Sequence, residues 1–170
     1  RDLDGRLVVS HDPPCREDHL AFEDILSMLK NYTSQPRIAL NIKSDGLQCR
    51  VKELLGEWFV KPTNFFVFDM SVPDTLGYQR EGVPFYCRVS EYEPESIFLN
   101  DSVGVWVDNF SGEFDQVAMS KSLLERGKRV AFVSPELHGR AHEDIWGRVR
   151  GKNLHNYSTF ELCTDFPIEA

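Results

Sequence analysis

Apolar positions along the chain alternate between two periods. Leu7-Val8-Val9 is a short β-branched run with turn signals on both sides, Asp4-Gly5 before it and Pro13-Pro14 after it. From Asp18 to Tyr32, Leu20, Phe22, Ile25, Leu26 and Leu29 recur mostly every three or four residues, which predicts a helix ended by Ser34-Gln35-Pro36. Across Arg37–Lys43, Ile38, Leu40 and Ile42 share one face of a strand and leave Arg37, Ala39, Asn41 and Lys43 on the other. Helical spacing returns over Gly46–Phe59 through Leu47, Val51, Leu54, Leu55 and Trp58. Phe65–Met70 is a nearly continuous apolar run, as a sheet covered on both faces requires. The alternation then repeats: a helix over Val72–Glu81, a strand over Pro84–Ser90, a brief helix or turn over Pro94–Leu99 and a strand over Val103–Asp108. A helix over Asp115–Gly127, a strand over Arg129–Ser134, a helix over Gly139–Val149 and a strand over Phe160–Asp165 complete the series.

Six strands thus follow the short opening one with no hairpin signal between them. Parallel strands need crossovers, so such a series forms either an open doubly wound sheet or a (β/α)8 barrel. The open sheet usually carries a Gly-rich turn after one strand, and none is present. Each of the six strands instead ends in a polar residue, namely Lys43, Asp69, Arg88, Asp108, Ser134 and Asp165, as barrel enzymes distribute their sites. The expected fold is therefore α/β of the (β/α)8 type. In it Asn41, Lys43, Asp69, Arg88 and Asp108 gather at one mouth, while Ile38, Leu40, Phe66, Phe68, Val105 and Val107 face the surrounding helices.

Composition narrows the field. The 170 residues suit one domain, and 41% hydrophobic with 27% charged residues is an ordinary globular mixture. A net charge of −8 without a Lys/Arg cluster argues against a nucleic-acid partner, which needs a basic face to displace counterions. Apolar runs are strand-length and the first residues carry no leader pattern, so no transmembrane segment and a cytoplasmic location are expected. Cys15, Cys49, Cys87 and Cys163 are widely spaced and read as free core thiols. The chain opens at Arg1 without Met, directly before a turn, and is expected to be a fragment or a processed product.

Candidate chemistry starts with His11-Asp12 at the exit of the opening strand. A carboxylate beside an imidazole can set its tautomer or raise its pKa, and the same dipeptide also suits a surface turn. In Ser134-Pro135-Glu136-Leu137-His138-Gly139-Arg140, the side chains of Glu136, His138 and Arg140 either contact substrate or decorate a capped, solvated turn. Lys43 and Arg88 suit contacts to phosphate oxygens or structural ion pairs with Asp69 or Asp108.

Asp4-Gly5-Arg6-Leu7-Val8-Val9-Ser10-His11-Asp12, Leu40-Asn41-Ile42-Lys43, Phe68-Asp69-Met70-Ser71 and Cys163-Thr164-Asp165-Phe166-Pro167 together resemble the successive landmarks of the glycerophosphodiester phosphodiesterase superfamily. That superfamily shares its barrel with phosphatidylinositol-specific phospholipase C. The resemblance implies a partial barrel over residues 1–170, with the last six strand-helix units present and the first two strands missing. It also implies metal-dependent hydrolysis of a small phosphodiester by two histidines. His11 would then be the general acid or base and Lys43 would neutralise growing charge, both as catalytic residues. Arg88 would be a further phosphate contact, and Asn41, Asp69 and Asp108 would be ligands of Mg2+ or Ca2+. Asn41 stands where the family usually has Glu, which removes a charge from the metal site. Two other functions fit less of the pattern: a degenerate barrel that binds a phosphorylated ligand or polyol without turnover, and a sugar-phosphate isomerase or an aldolase using Lys43.

Overall fold

The computed structural model describes residues 5–12, 19–32, 36–58 and 60–170. Asp4, Pro13, Pro14, Cys15, Asp18, Thr33, Ser34, Gln35 and Phe59, on which an expected turn, thiol and helix ends fall, lie outside the described residues. The chain divides into two compact units, Arg1–Phe85 and Tyr86–Ala170.

In the first unit, β1 (Val8–Val9) pairs antiparallel with β2 (Leu20–Ala21), and Phe22 N donates to Leu7 O at 2.9 Å. Leu20, expected in a helix, belongs instead to this two-residue ladder and is exposed. Helix α1 (Phe22–Lys30) buries Phe22 and Leu26, with Glu23 and Asp24 in its first turn and Lys30 in its last, the order the helix dipole favours. Strands β3 (Ile38–Asn41) and β4 (Phe65–Phe68) are parallel, and Ile38 faces Phe65 as Asn41 faces Phe68. Residues opposite one another in a ladder share a face. Phe66 and Phe68 therefore lie with Ala39 and Asn41, whereas Ile38 and Leu40 lie with Phe65 and Val67. The expectation that Phe66 and Phe68 join Ile38 and Leu40 was out by one residue. All four residues of β4 are buried, so the run has no alternation from which parity can be read.

Helix α2 (Gln48–Glu57) buries Val51, Leu54 and Leu55. Helix α3 (Val72–Glu81) starts where the Ser71 hydroxyl accepts from Asp74 N at 3.3 Å, and it stops at Gly82, whose φ of 68° suits a residue without a Cβ.

In the second unit, β5 (Tyr86–Val89), β6 (Gly104–Val107), β7 (Arg129–Val133) and β8 (Phe160–Cys163) form a parallel sheet in sequential order. Turns without a helix connect β5 to β6. Helix α4 (Gln116–Glu125) crosses from β6 to β7 and packs on both, and α5 (Glu143–Gly151) lies between β7 and β8. The ladder puts Cys87, Val89, Val105, Val107, Val130 and Phe132, all buried, on one face. The other face carries Tyr86, Arg88, Gly104, Trp106, Arg129, Ala131 and Glu161. There Tyr86 donates to Glu161 Oε2 at 2.9 Å, Arg129 Nε donates to the Tyr86 hydroxyl at 3.1 Å, and Arg129 and Glu161 form an ion pair at 2.5 Å. Gly104 is required beneath this cluster, because a Cβ would overlap the Tyr86 ring.

The last helix is displaced from its expected span. Pro135–His138 forms a 3-10 turn ended by Gly139 at φ 69°, so Gly139 stops one element rather than starting the next. Cys87 and Cys163 are free and wholly or partly buried as expected, whereas the free Cys49 is exposed. Among the described residues no helix is long and apolar enough to cross a membrane.

Candidate functional site

Parallel strands bring their carboxyl ends to one edge, and in the second unit that edge gathers Arg88, Asp108, Glu136, His138 and Arg140. Asp108 directly follows β6 and is 5% exposed. His138 closes the 3-10 turn after β7, and its Nε2 lies 2.6 Å from Asp108 Oδ1. The same carboxylate oxygen accepts from Asn109 N at 2.9 Å. The Phe110 ring packs 5.0 Å from the imidazole, with the Arg88 guanidinium 5.9 Å and the Tyr92 ring 6.0 Å from Phe110. Arg88 Nε also donates to Glu93 at 2.8 Å. Arg140 donates to Asn109 O, and its guanidinium lies over Gly112, where a Cβ would collide with it.

Two devices hold the strand ends in place. Gln116, buried at the start of α4, donates through Nε2 to Val107 O and to Val133 O, both at 2.8 Å, and so clamps the exits of β6 and β7. Glu136 accepts from the Ser134 and Thr164 hydroxyls and from Asp165 N at 3.2 Å, which ties the exit of β7 to that of β8. Trp146 Nε1 in turn donates to the Ser134 hydroxyl at 2.8 Å. Burial pushes the Glu136 carboxyl up, but the hydrogen bonds from Ser134, Thr164 and the backbone outweigh it and hold the group below the usual glutamate range. Glu136 thus braces the exits of β7 and β8. Burial, reinforced by the charges of Asp108, Asp165 and Glu136, pushes the Cys163 thiol up to about 11, which leaves it a poor nucleophile.

In the first unit, Asn41 Nδ2 donates to Asp69 Oδ2 at 3.3 Å. Asp69 adopts φ 75°, a left-handed conformation that Asp tolerates better than most residues, immediately past the end of β4. Lys43 lies just past β3 and is exposed. His11 Nδ1 lies 3.2 Å from Asp12 Oδ1, with the two side chains 90% and 87% exposed. Asp74, which sequence reasoning passed over, is buried in α3, where it accepts from Gly46 N at 2.9 Å and from Gln48.

No family model, curated protein or solved structure matches the chain.

The donor set can still be tested against a hard divalent cation, which takes six or more oxygens. Among the described residues no three His, Cys, Asp or Glu side chains come together as a metal cluster. Asn41 turns its amide nitrogen toward Asp69. Rotated by half a turn, the amide would add a neutral oxygen to one carboxylate, a partial set at best. Asp108 is engaged through Oδ1 by His138 and by Asn109 N. Sequence reasoning singled out both Asp108 and His138 but gave them separate roles. Their positions, directly after β6 and in the turn that follows the neighbouring parallel strand β7, were the signal that joins them.

Proposed function

We propose that the chain is part of a metal-dependent phosphodiesterase of the glycerophosphodiester type, a partial (β/α)8 barrel that hydrolyses a small phosphodiester. The observation that carries this is the placement of Arg88, Asp108 and His138, which puts a forked cation and an imidazole-carboxylate pair on one carboxyl edge. Their chemistry suits a phosphodiester anion, whose charge needs hydrogen-bond donors and whose alkoxide needs a proton in order to leave. Arg88 and Arg140 orient the anion at the carboxyl edge of the second unit; within the first unit, the family resemblance gives His11 the proton transfer and Lys43 the neutralisation of growing charge. Asn41 and Asp69 would hold part of the shell of Mg2+ or Ca2+, which would supply Lewis-acid chemistry. A cytoplasmic location belongs to the same proposal. The uncharged Asn41, hydrogen-bonded to Asp69, favours a second reading in which the barrel binds a phosphorylated ligand or polyol without turnover.

Turnover separates the two. The full-length protein with Mg2+ or Ca2+ should release a phosphomonoester from glycerophosphocholine, and a chelator should stop it. His11→Ala should lower the rate on this alkyl ester by roughly 100- to 10,000-fold and on a nitrophenyl ester much less, because nitrophenolate leaves without a proton. Binding of the diester with no release of monoester would select the second reading.

A further inference from the structure

We infer that the paired rings of Tyr92 and Phe110 at the carboxyl edge of the second unit, with the Glu91 carboxylate that joins their loops, seat a quaternary ammonium group. The diester this site takes then carries choline or a like alcohol. The inference rests on the phosphodiesterase reading, from which it takes the phosphodiester, and adds the chemistry of the esterified alcohol. The two ring centres lie 6.0 Å apart with their planes tilted by 47°, and the residues are 74% and 38% exposed. Aromatic faces carry partial negative charge, so an angled pair of them attracts a soft cation to within about 6 Å of a ring centre.

Both rings stand on fixed backbone. The hydroxyl of the buried Ser90 accepts from Tyr92 N and Glu93 N, both at 3.2 Å, and Ser90 N donates to Glu93 O at 3.0 Å, which closes a tight turn after β5. Asn109, also buried, accepts from Gly112 N at 2.9 Å and donates to Phe114 O at 3.0 Å, and so shapes the loop that carries Phe110. Glu91 ties the two turns together by accepting from Phe110 N at 3.2 Å and from Ser111 N at 2.5 Å. Burial pushes the Glu91 carboxyl up, but hydrogen bonds from Ser111, Phe110 and its own backbone outweigh it and hold the group below the usual glutamate range. Glu91 forms no ion pair among the described residues, so its charge acts on whatever sits beside the rings.

Charge decides which ligand suits this seat. The Arg88 guanidinium already lies 5.9 Å from the Phe110 ring, and Glu93 pairs with it at 2.8 Å. A cation brought alone to the same rings meets repulsion from Arg88. A phosphodiester joined to an ammonium by an ethylene link removes that repulsion, because its phosphate faces Arg88 while its ammonium faces Tyr92 and Glu91. A primary ammonium brings N–H donors that need acceptors, and each Glu91 oxygen is already engaged by a backbone amide. A quaternary ammonium has no donors to satisfy and lays its methyl groups against the rings. Tyr92, Phe110 and Glu91 thus bind and orient the alcohol, and take no part in breaking its bond to phosphorus.

The test is isothermal titration of the full-length protein, with a chelator present so that no ligand is hydrolysed. Glycerophosphocholine should bind roughly 10-fold more tightly than glycerophosphoglycerol, whose second alcohol carries no charge. Tyr92→Ala should bring that ratio to within about twofold, whereas Tyr92→Phe should keep it, because the ring face and not the hydroxyl holds the cation. Glu91→Gln should lower the ratio, and Ile97→Ala, an exposed change on the same connection between β5 and β6, should not. Phosphocholine should bind more tightly than choline alone. Equal affinity of the wild type for the two diesters, or a preference that survives Tyr92→Ala, overturns the inference, while hydrolysis of either diester keeps the phosphodiesterase reading standing. The expected preference in a protein that hydrolyses neither diester overturns that reading and leaves the ammonium seat in place. Binding of neither diester, with chelator or with Mg2+ or Ca2+, overturns the inference.

Discussion

Replacing Gln116 by Met tests whether the exits of β6 and β7 depend on the side chain that bridges them. Gln116 is 1% exposed, and its Nε2 donates to two carbonyls, Val107 O and Val133 O, each at 2.8 Å. Met has nearly the same volume, so no cavity term enters. Two lost hydrogen bonds at about 0.5–1.5 kcal/mol each give a cost of about 1–3 kcal/mol. Gln116 Oε1, however, is buried without a partner among the described residues, and removing it returns part of that cost. The net expectation is about 1–2 kcal/mol. Because the chain has two compact units, global unfolding is a blunt assay, and amide exchange is better placed. Asp108 N donates to Val89 O and Ser134 N to Cys163 O, both at 2.9 Å, so these two amides report on the clamped edge. If they open with the clamp, their protection should fall about 5- to 30-fold, the equivalent of that free energy. Unchanged protection at Asp108 and Ser134 would refute the clamp.

Gly104→Ala should destabilise the protein by about 1–3 kcal/mol through overlap with the Tyr86 ring, and combining it with Tyr86→Leu should cost less than the sum of the two changes in urea unfolding. The Tyr78 hydroxyl is buried with no partner among the described residues, so Tyr78→Phe should leave stability unchanged or raise it by up to about 1 kcal/mol; a loss above that in thermal unfolding would reveal a missing partner. The Glu136 carboxyl lies below its ordinary range, so it stabilises the fold above the unfolded-state pKa, and that stabilisation disappears as pH falls through the depressed folded value. Glu136→Gln should flatten this acid slope in pH-dependent thermal unfolding, and an unchanged slope would place it on other carboxyl groups.

What the sequence made legible followed from periodicity. Val105 and Val107 alternate with Gly104 and Trp106, and both lie on the buried face of β6, as that alternation demands. Phe65–Phe68 alternates with nothing, so its parity emerged only from pairing with β3. The start of α1 was misplaced because the apolar Leu20 fits a helical stripe as well as a strand, and tertiary pairing with Val9 decided it. The polar ends of the strands marked the edge of the site, but polarity alone carries no partner information. Asp108 and His138 are 30 positions apart, and only the adjacency of β6 and β7 makes them a pair. Asp74 went unnoticed because nothing in a helical Asp announces that Gly46 N and Gln48 will close over it.

The most direct test of phosphodiester hydrolysis follows the phosphorus-31 spectrum of glycerophosphocholine incubated with the full-length protein and Mg2+ or Ca2+. The account predicts that the diester resonance gives way to a phosphomonoester resonance, at a rate that falls at least 100-fold in His11→Ala. A diester resonance that persists with folded wild-type protein and either cation would contradict it.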